Sequence, residues 1–101
     1  DSLVGSEMCI RDSTMPRSNM KKALDIIAEI DAMTNDEWAI AAAVPITGDD
    51  MNSFLAAYQF KSFVVMGKCL DEIGMSEKMQ DIVARASELG TLQTADVMIT
   101  V

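Results

Sequence analysis

Asp50-Met51-Asn52-Ser53-Phe54-Leu55-Ala56-Ala57-Tyr58-Gln59-Phe60-Lys61-Ser62-Phe63-Val64-Val65-Met66-Gly67-Lys68-Cys69-Leu70-Asp71-Glu72-Ile73 is the richest apolar run in the chain, and the architecture turns on how it is read. Taken as one helix over roughly Asp50–Ile73, its apolar residues surround nearly the whole axis. A helix apolar on most sides belongs in the middle of a bundle or at an oligomer interface. Thr47, Asp49 or Asp50 would cap its start, and Gly74 would close it in a left-handed conformation. Gly67 weakens the interior by about 1 kcal/mol relative to alanine and would mark a kink or close crossing. Asn52, Gln59 and Lys61 interrupt the run, which falls short of the ~20 apolar residues that span a bilayer. No membrane segment is expected.

Three further helices are expected around this one. Ser18 or Asn19 would cap the first, whose stripe Met20, Ala23, Leu24, Ile27, Ile30 and Met33 keeps to one helical face. Thr34-Asn35-Asp36-Glu37 has the form of a capping box, so a short second helix is predicted over about Asn35–Ala43, ending before Pro45. Ser76 would cap a fourth helix over about Glu77–Leu89, with Met79, Ile82, Val83, Ala86 and Leu89 on its apolar face and Gly90 at its end. Leu92–Val101 reads two ways. Val97, Ile99 and Val101 alternate as a strand does, whereas Thr94-Ala95-Asp96 would open another helix. The apolar ending is expected of a chain that continues further.

Leu3-Val4-Gly5-Ser6-Glu7-Met8-Cys9-Ile10-Arg11-Asp12 resembles the one-frame translation of a transposon-end adapter used in sequencing libraries, and Ser2 and Ser13 fit its flanking codons. The resemblance implies a metagenomic read in which residues 1–13 are adapter-derived, disordered and outside the fold. Thr14–Val101 would then be a single helical domain, and no protein family is recognised in it. The resemblance also removes Cys9 from the count, leaving Cys69 and no internal disulfide, which fits a reducing, cytoplasmic location. The chain carries a net charge of -8. Residues 1–13 hold three acids against one arginine, so -6 remains for the rest, a sign that repels nucleic acid. Arg17, Lys21 and Lys22 form only a small basic patch near the start.

The chain has no histidine, which removes a histidine-dependent triad, histidine metal ligation and Glu-x-x-His di-iron sites. Thr47-Gly48-Asp49-Asp50-Met51-Asn52 clusters oxygen ligands but lacks the register and distant glutamate of a calcium loop, so it reads as a helix start. Asp71 and Glu72 read as a surface ion-pair cluster with Lys68 and Lys78. Cys69 reads as a structural thiol, Trp38 and Tyr58 as packing residues, and the methionines as core filler. No catalytic, cofactor-binding or metal-binding residue is assigned, and no cofactor is expected.

The sequence therefore predicts an all-α fold, a small bundle of about four helices with a central apolar third helix. The function expected of it is a small acidic protein–protein interaction or oligomerisation module. Its partner would be a protein or a second copy of the chain, with no nucleic acid and no membrane. The alternative is a helical fragment of a larger enzyme whose active site lies elsewhere. A helix-turn-helix regulator over Ile73–Leu89 is disfavoured by Glu77, Asp81 and Glu88.

Overall fold

Trp38-Ala39-Ile40-Ala41-Ala42-Ala43 is a strand and not a helix. Trp38 and Ile40 are buried while Ala39, Ala41 and Ala43 are exposed, the period of two that extended backbone imposes. The computed structural model describes residues 6–101. Strand β1 spans Glu7–Thr14 and leads through a 3-10 turn, Arg17–Asn19, into helix α1, Met20–Asp31. Strand β2, Trp38–Ala43, and strand β3, Ser53–Phe60, follow. Helix α2, Phe63–Cys69, continues as a π-helical turn, Leu70–Gly74. Helix α3, Glu77–Leu89, precedes strand β4, Thr91–Ile99.

The strands form one antiparallel sheet in the order β2-β3-β1-β4. Apart from α2, this is the β-α-β-β-α-β split arrangement of ferredoxin-like folds. The chain is an α+β domain of three helices and a four-stranded sheet. The expected all-α bundle with a central third helix is therefore wrong, and the domain expected over 14–101 is not helical throughout.

The error has a physical source. β3 is an interior strand between β2 and β1, and most of its residues are half-buried on whichever side they point. A strand shielded on both faces reads as apolar all round, as a buried helix does. Its helix-side residues Phe54, Ala56, Tyr58 and Phe60 recur every second position, and aromatics favour a pleated surface. The single helix expected over Asp50–Ile73 is thus β3, a break at Lys61–Ser62, and then α2. The Ser62 hydroxyl accepts from the Val65 amide at 3.2 Å and starts α2.

The presumed caps of the second and third helices make local turns instead. The Thr34 hydroxyl donates back to the Asp31 carbonyl at 2.7 Å, the adjoining Asn35 Oδ1 accepts from the Glu37 amide at 2.8 Å, and Asp50 Oδ1 accepts from the Asn52 amide at 3.0 Å. Short polar side chains compete for nearby backbone in this way, so a cap pattern and a turn pattern look alike in sequence. α1 and α3 lie where the first and fourth predicted helices do, with Ser76 Oγ accepting from the Met79 amide at 3.2 Å. Leu92–Val101 takes its extended alternative through Ile99. Neither Gly74 nor Gly90 has a positive φ; Gly90 is extended at φ -168°.

β1 also departs from expectation. Positions 7–13, predicted to lie outside the fold, pair with β3 on one side and β4 on the other. Backbone amides and carbonyls hold an interior strand largely regardless of side chain, and Met8-Cys9-Ile10 supplies the apolar centre. Residues 1–5 of that expectation lie outside the described residues.

The helices cover one face of the sheet. Met20, Ala23, Ile26 and Ile30 of α1 and Met79 and Ile82 of α3 are buried against Trp38, Ile40, Phe54 and Phe60. Arg85 on α3 forks onto Glu29 of α1 at 2.6 and 2.9 Å and donates to Asp81 at 3.0 Å, fastening the two helices together.

Candidate functional site: an apolar cleft beneath the helices

The sheet's pleat sends Cys9, Arg11 and Ser13 of β1 to the helix side, with Tyr58, Ala56 and Phe54 beside them on β3. Trp38 on β2 lies directly across from Phe60. Three rings consequently line up on one surface. Trp38 and Phe60 have centroids 6.0 Å apart and planes 10° apart, and Tyr58 and Phe60 are 6.4 Å and 5°. This row floors a cleft of about 410 Å³ roofed by Met66 and Cys69 of α2, Leu70 and Ile73 of the π-helical turn, and Met79 and Val83 of α3. A second hollow of about 250 Å³ lies between α1, α3 and the sheet. Arg11, Tyr58, Met79 and Val83 line both, so the two spaces share a wall.

The lining is mostly apolar with a few polar atoms, as small-molecule sites are. Burial pushes the Tyr58 hydroxyl above the usual tyrosine range, with the Arg11 guanidinium opposing and Cys9 adding to the rise. Tyr58 therefore remains a neutral donor near pH 7. Burial also raises the Cys69 thiol, helped by the Glu37 and Glu72 carboxylates and opposed by Lys68. A raised thiol is a poor nucleophile, so Cys69 contributes shape rather than reactivity. Trp38 Nε1 is buried without a hydrogen-bond partner among the described residues. An indole N–H left unmet in this way stands ready for an acceptor.

The other candidate residues from the sequence lie away from the cleft. Thr47–Asp50 is an exposed loop between β2 and β3. Arg17 donates to the Pro45 and Met51 carbonyls at 2.8 and 3.1 Å, and so braces that loop. Asp71 and Glu72 lie exposed on the π-helical turn, and among the described residues the ion pairs found are those of Arg85, with none to Lys68 or Lys78. No cluster suited to a metal ion occurs among the described residues. The methionines divide: Met15, Met20 and Met79 are core, Met66 lines the cleft, and Met75 and Met98 are exposed. Sequence reasoning missed Phe60, Met66, Ile73 and Val83 as lining. The visible signal was Phe54-x-Ala56-x-Tyr58-x-Phe60, an alternation whose large side chains share one face.

Fold and cleft together define a small α+β domain with an apolar cleft between its sheet and helices. No protein-family profile matches the chain, and no curated protein matches it. Solved structures do match. A conserved protein of unknown function from Bacteroides thetaiotaomicron, described as a possible oxidoreductase, is 12% identical with a TM-score of 0.73, covering 94% of this chain and 97% of that one. A proposed antibiotic biosynthesis monooxygenase from Chloroflexus aurantiacus is 14% identical with a TM-score of 0.70, covering 95% and 93%. SnoaB, a cofactor-independent oxygenase from Streptomyces nogalater, is 9% identical with a TM-score of 0.70, covering 97% and 95%. At these identities the likeness establishes the fold. It also overturns the expected helical interaction module and the helical enzyme fragment, since all three structures share an α+β architecture with this chain.

Proposed function

We propose that this chain binds a small planar apolar molecule in the cleft beneath its helices and acts on it as an oxygenase. The observation that carries the binding is the cleft itself, about 410 Å³ with an aromatic floor and an unmet Trp38 donor. Ring edges and the apolar side chains around them favour an aromatic ligand over a flexible polar one. The oxygenase chemistry rests on the similar fold of SnoaB and of the proposed monooxygenase. Cofactor-independent oxygenation asks little of the lining, because the substrate's own electrons reduce oxygen. Its substrate must then delocalise charge when deprotonated, which selects electron-rich phenolic aromatics.

Trp38 is the only tryptophan in the sequence and lines the cleft, so its fluorescence reports occupancy. Titration with 2-methoxynaphthalene should quench it saturably, and oxygen uptake with 1,5-dihydroxynaphthalene should rise in proportion to protein. Absence of saturable quenching would sink the binding assignment. Quenching without protein-dependent uptake of oxygen would sink the oxygenase assignment.

Two further parts of this reading concern partners and place. The sheet's other face carries Met8, Ile10, Leu55, Ala57, Met98, Ala39, Ala41 and Ala43 together with Gln59, Thr94 and Asp96, and no helix of the described residues covers it. Ser53 Oγ donates to Asp12 at 2.8 Å on that face, and the apolar residues cluster on β2, β3 and the Met8–Ile10 end of β1. We assign it to a second copy of the chain, since a twofold axis makes one patch self-complementary. A monomer by sedimentation at 100 µM would refute this. No described helix is long and apolar enough to cross a membrane. A cytoplasmic location, and no role in nucleic-acid binding given the net charge of -8, complete the proposal.

A further inference from the structure

The core of this domain is divided. Ile26, Ile30, Met79 and Ile82 belong to one cluster of buried side chains, together with Trp38, Ile40 and Phe60. Met15, Met20, Ala23 and Phe54 form a second. Ile27 and Leu89, themselves only partly buried, pack against both. A domain of this size ordinarily builds one contiguous core. The hollow of about 250 Å³ lies at the division, lined by Ile26, Ile30 and Ile82 from one cluster and Met15, Ala23 and Phe54 from the other. Native interiors hold few spaces larger than a water molecule, so a gap of this size among isoleucines is room for an apolar group.

The two hollows differ in lining. The cleft of about 410 Å³ has the rings of Trp38, Tyr58 and Phe60. The smaller hollow, apart from Phe54 and the shared Tyr58, is walled mainly by aliphatic side chains. Ser87 lies at its exposed rim, and its hydroxyl already donates to the Val83 carbonyl at 2.8 Å. The boundary between the hollows is not a packed partition. Of the four residues that line both, Arg11 and Val83 are exposed, Tyr58 is half-buried, and only Met79 is buried. An unbranched methionine side chain repacks readily around a ligand.

We infer that the two hollows are halves of one site, and that its ligand is a single molecule with an aromatic head in the larger half and an unbranched aliphatic tail in the smaller. An apolar cavity of about 150 Å³ lined by similar side chains holds benzene, so 250 Å³ holds a tail of roughly six to ten carbons. The head rests on the cleft reading proposed above. The tail rests on the divided core and fails or stands separately.

The test titrates the Trp38 fluorescence of the full chain with 2-methoxy-, 2-butoxy-, 2-hexyloxy- and 2-dodecyloxynaphthalene. Wild type should gain roughly threefold in affinity per added methylene through hexyloxy, and the gain should level off by dodecyloxy, whose tail exceeds the hollow. Ala56 and Ala86 line the smaller hollow and not the larger, and Ala86 is an exposed position of α3 where a leucine suits the helix. Ala56→Leu and Ala86→Leu should each lower the hexyloxy-to-methoxy affinity ratio by about tenfold, because the new side chain occupies the space of the tail. Ala56→Leu should also leave the thermal midpoint unchanged or raise it, since it fills a gap. A fall of about 5 °C or more would mean overpacking where room is claimed, and overturns the inference. A hexyloxy probe no tighter than methoxy in wild type also overturns it, while leaving the cleft reading intact. So does a chain-length gain that both leucine variants keep in full, which puts the tail outside the hollow. Quenching by the long-chain probes alone upholds the tail and sinks the planar-head reading; quenching by none sinks both.

Discussion

Gly90→Ala should destabilise this domain out of proportion to the one methyl it adds. Gly90 joins α3 to β4 in extended backbone at φ -168°, a conformation open to any residue, so backbone strain is not the reason. The reason is proximity. A Cβ at position 90 would lie 2.6 Å from the Thr14 carbonyl oxygen and 2.8 Å from Met15 Cβ. Comfortable carbon–carbon contact is about 3.5–4.0 Å, so the chain must open by roughly 0.7 Å or more. Neither neighbour can swing aside, because one is backbone at the end of β1 and the other is anchored to a core residue. Met15 is 6% exposed and packs with Met20, Ala23 and Phe54, and its amide donates to the Asn52 carbonyl at 2.9 Å. The strain therefore passes into the Thr14–Thr91 end of the β1–β4 ladder and into that core cluster. Overpacking of this kind costs about 1–3 kcal/mol, and backbone on the other side of the clash places Gly90 at the upper end. For a domain of this size the thermal midpoint should fall by about 10–20 °C. Urea unfolding followed by circular dichroism measures the loss, and hydrogen exchange should show it concentrated at Thr91–Thr94. A change within 0.5 kcal/mol would refute the claimed approach of the two strand ends.

Gly67→Ala should do the opposite: a Cβ there meets nothing within 4 Å, and α2 should gain about 1 kcal/mol in propensity, read as a higher midpoint of unfolding. Tyr58 titrates higher in the folded chain than in the unfolded one, because burial disfavours the phenolate. Its contribution is thus present at neutral pH and is lost as pH rises through the folded value. Urea midpoints should fall above pH 10 more steeply in wild type than in Tyr58→Phe. The Cys69 thiol, raised by burial and flanking carboxylates, should react with a chromogenic disulfide several-fold more slowly than a free thiol at pH 8, and a rate equal to free cysteine would show the cleft to be open there.

How much of this was legible in the residues depends on where each element gets its stability. α1 and α3 are amphipathic, with one face on the sheet and one in water, so apolar residues repeating at three and four positions located both helices, although Leu24, Val83 and Ala86 of the expected stripes are exposed and Ile26, outside them, is buried. β3 carries no such contrast. Its inward face meets the helices, its outward face belongs to the open side of the sheet, and both are at least half-buried. The sequence pattern that survives is a weak alternation among Phe54, Tyr58 and Phe60, drowned by Leu55, Ala57 and the apolar residues of α2 that follow. β2 hides differently, because four alanines favour a helix in isolation and only tertiary pairing with β3 overrides that preference. The cleft inherits the same difficulty. Its floor comes from β2 and β3 and its roof from α2, the π-helical turn and α3, so no short motif contains it. Only the sheet register, which puts Trp38 across from Phe60 and Phe60 two residues from Tyr58, brings the three rings together. Register is a long-range property, fixed by turns whose polar residues looked like helix caps. The misread of Thr34–Glu37 and Thr47–Asn52 as caps therefore did more than lose two strands. It removed the pairing that creates the cleft, and with it the basis for recognising an α+β domain.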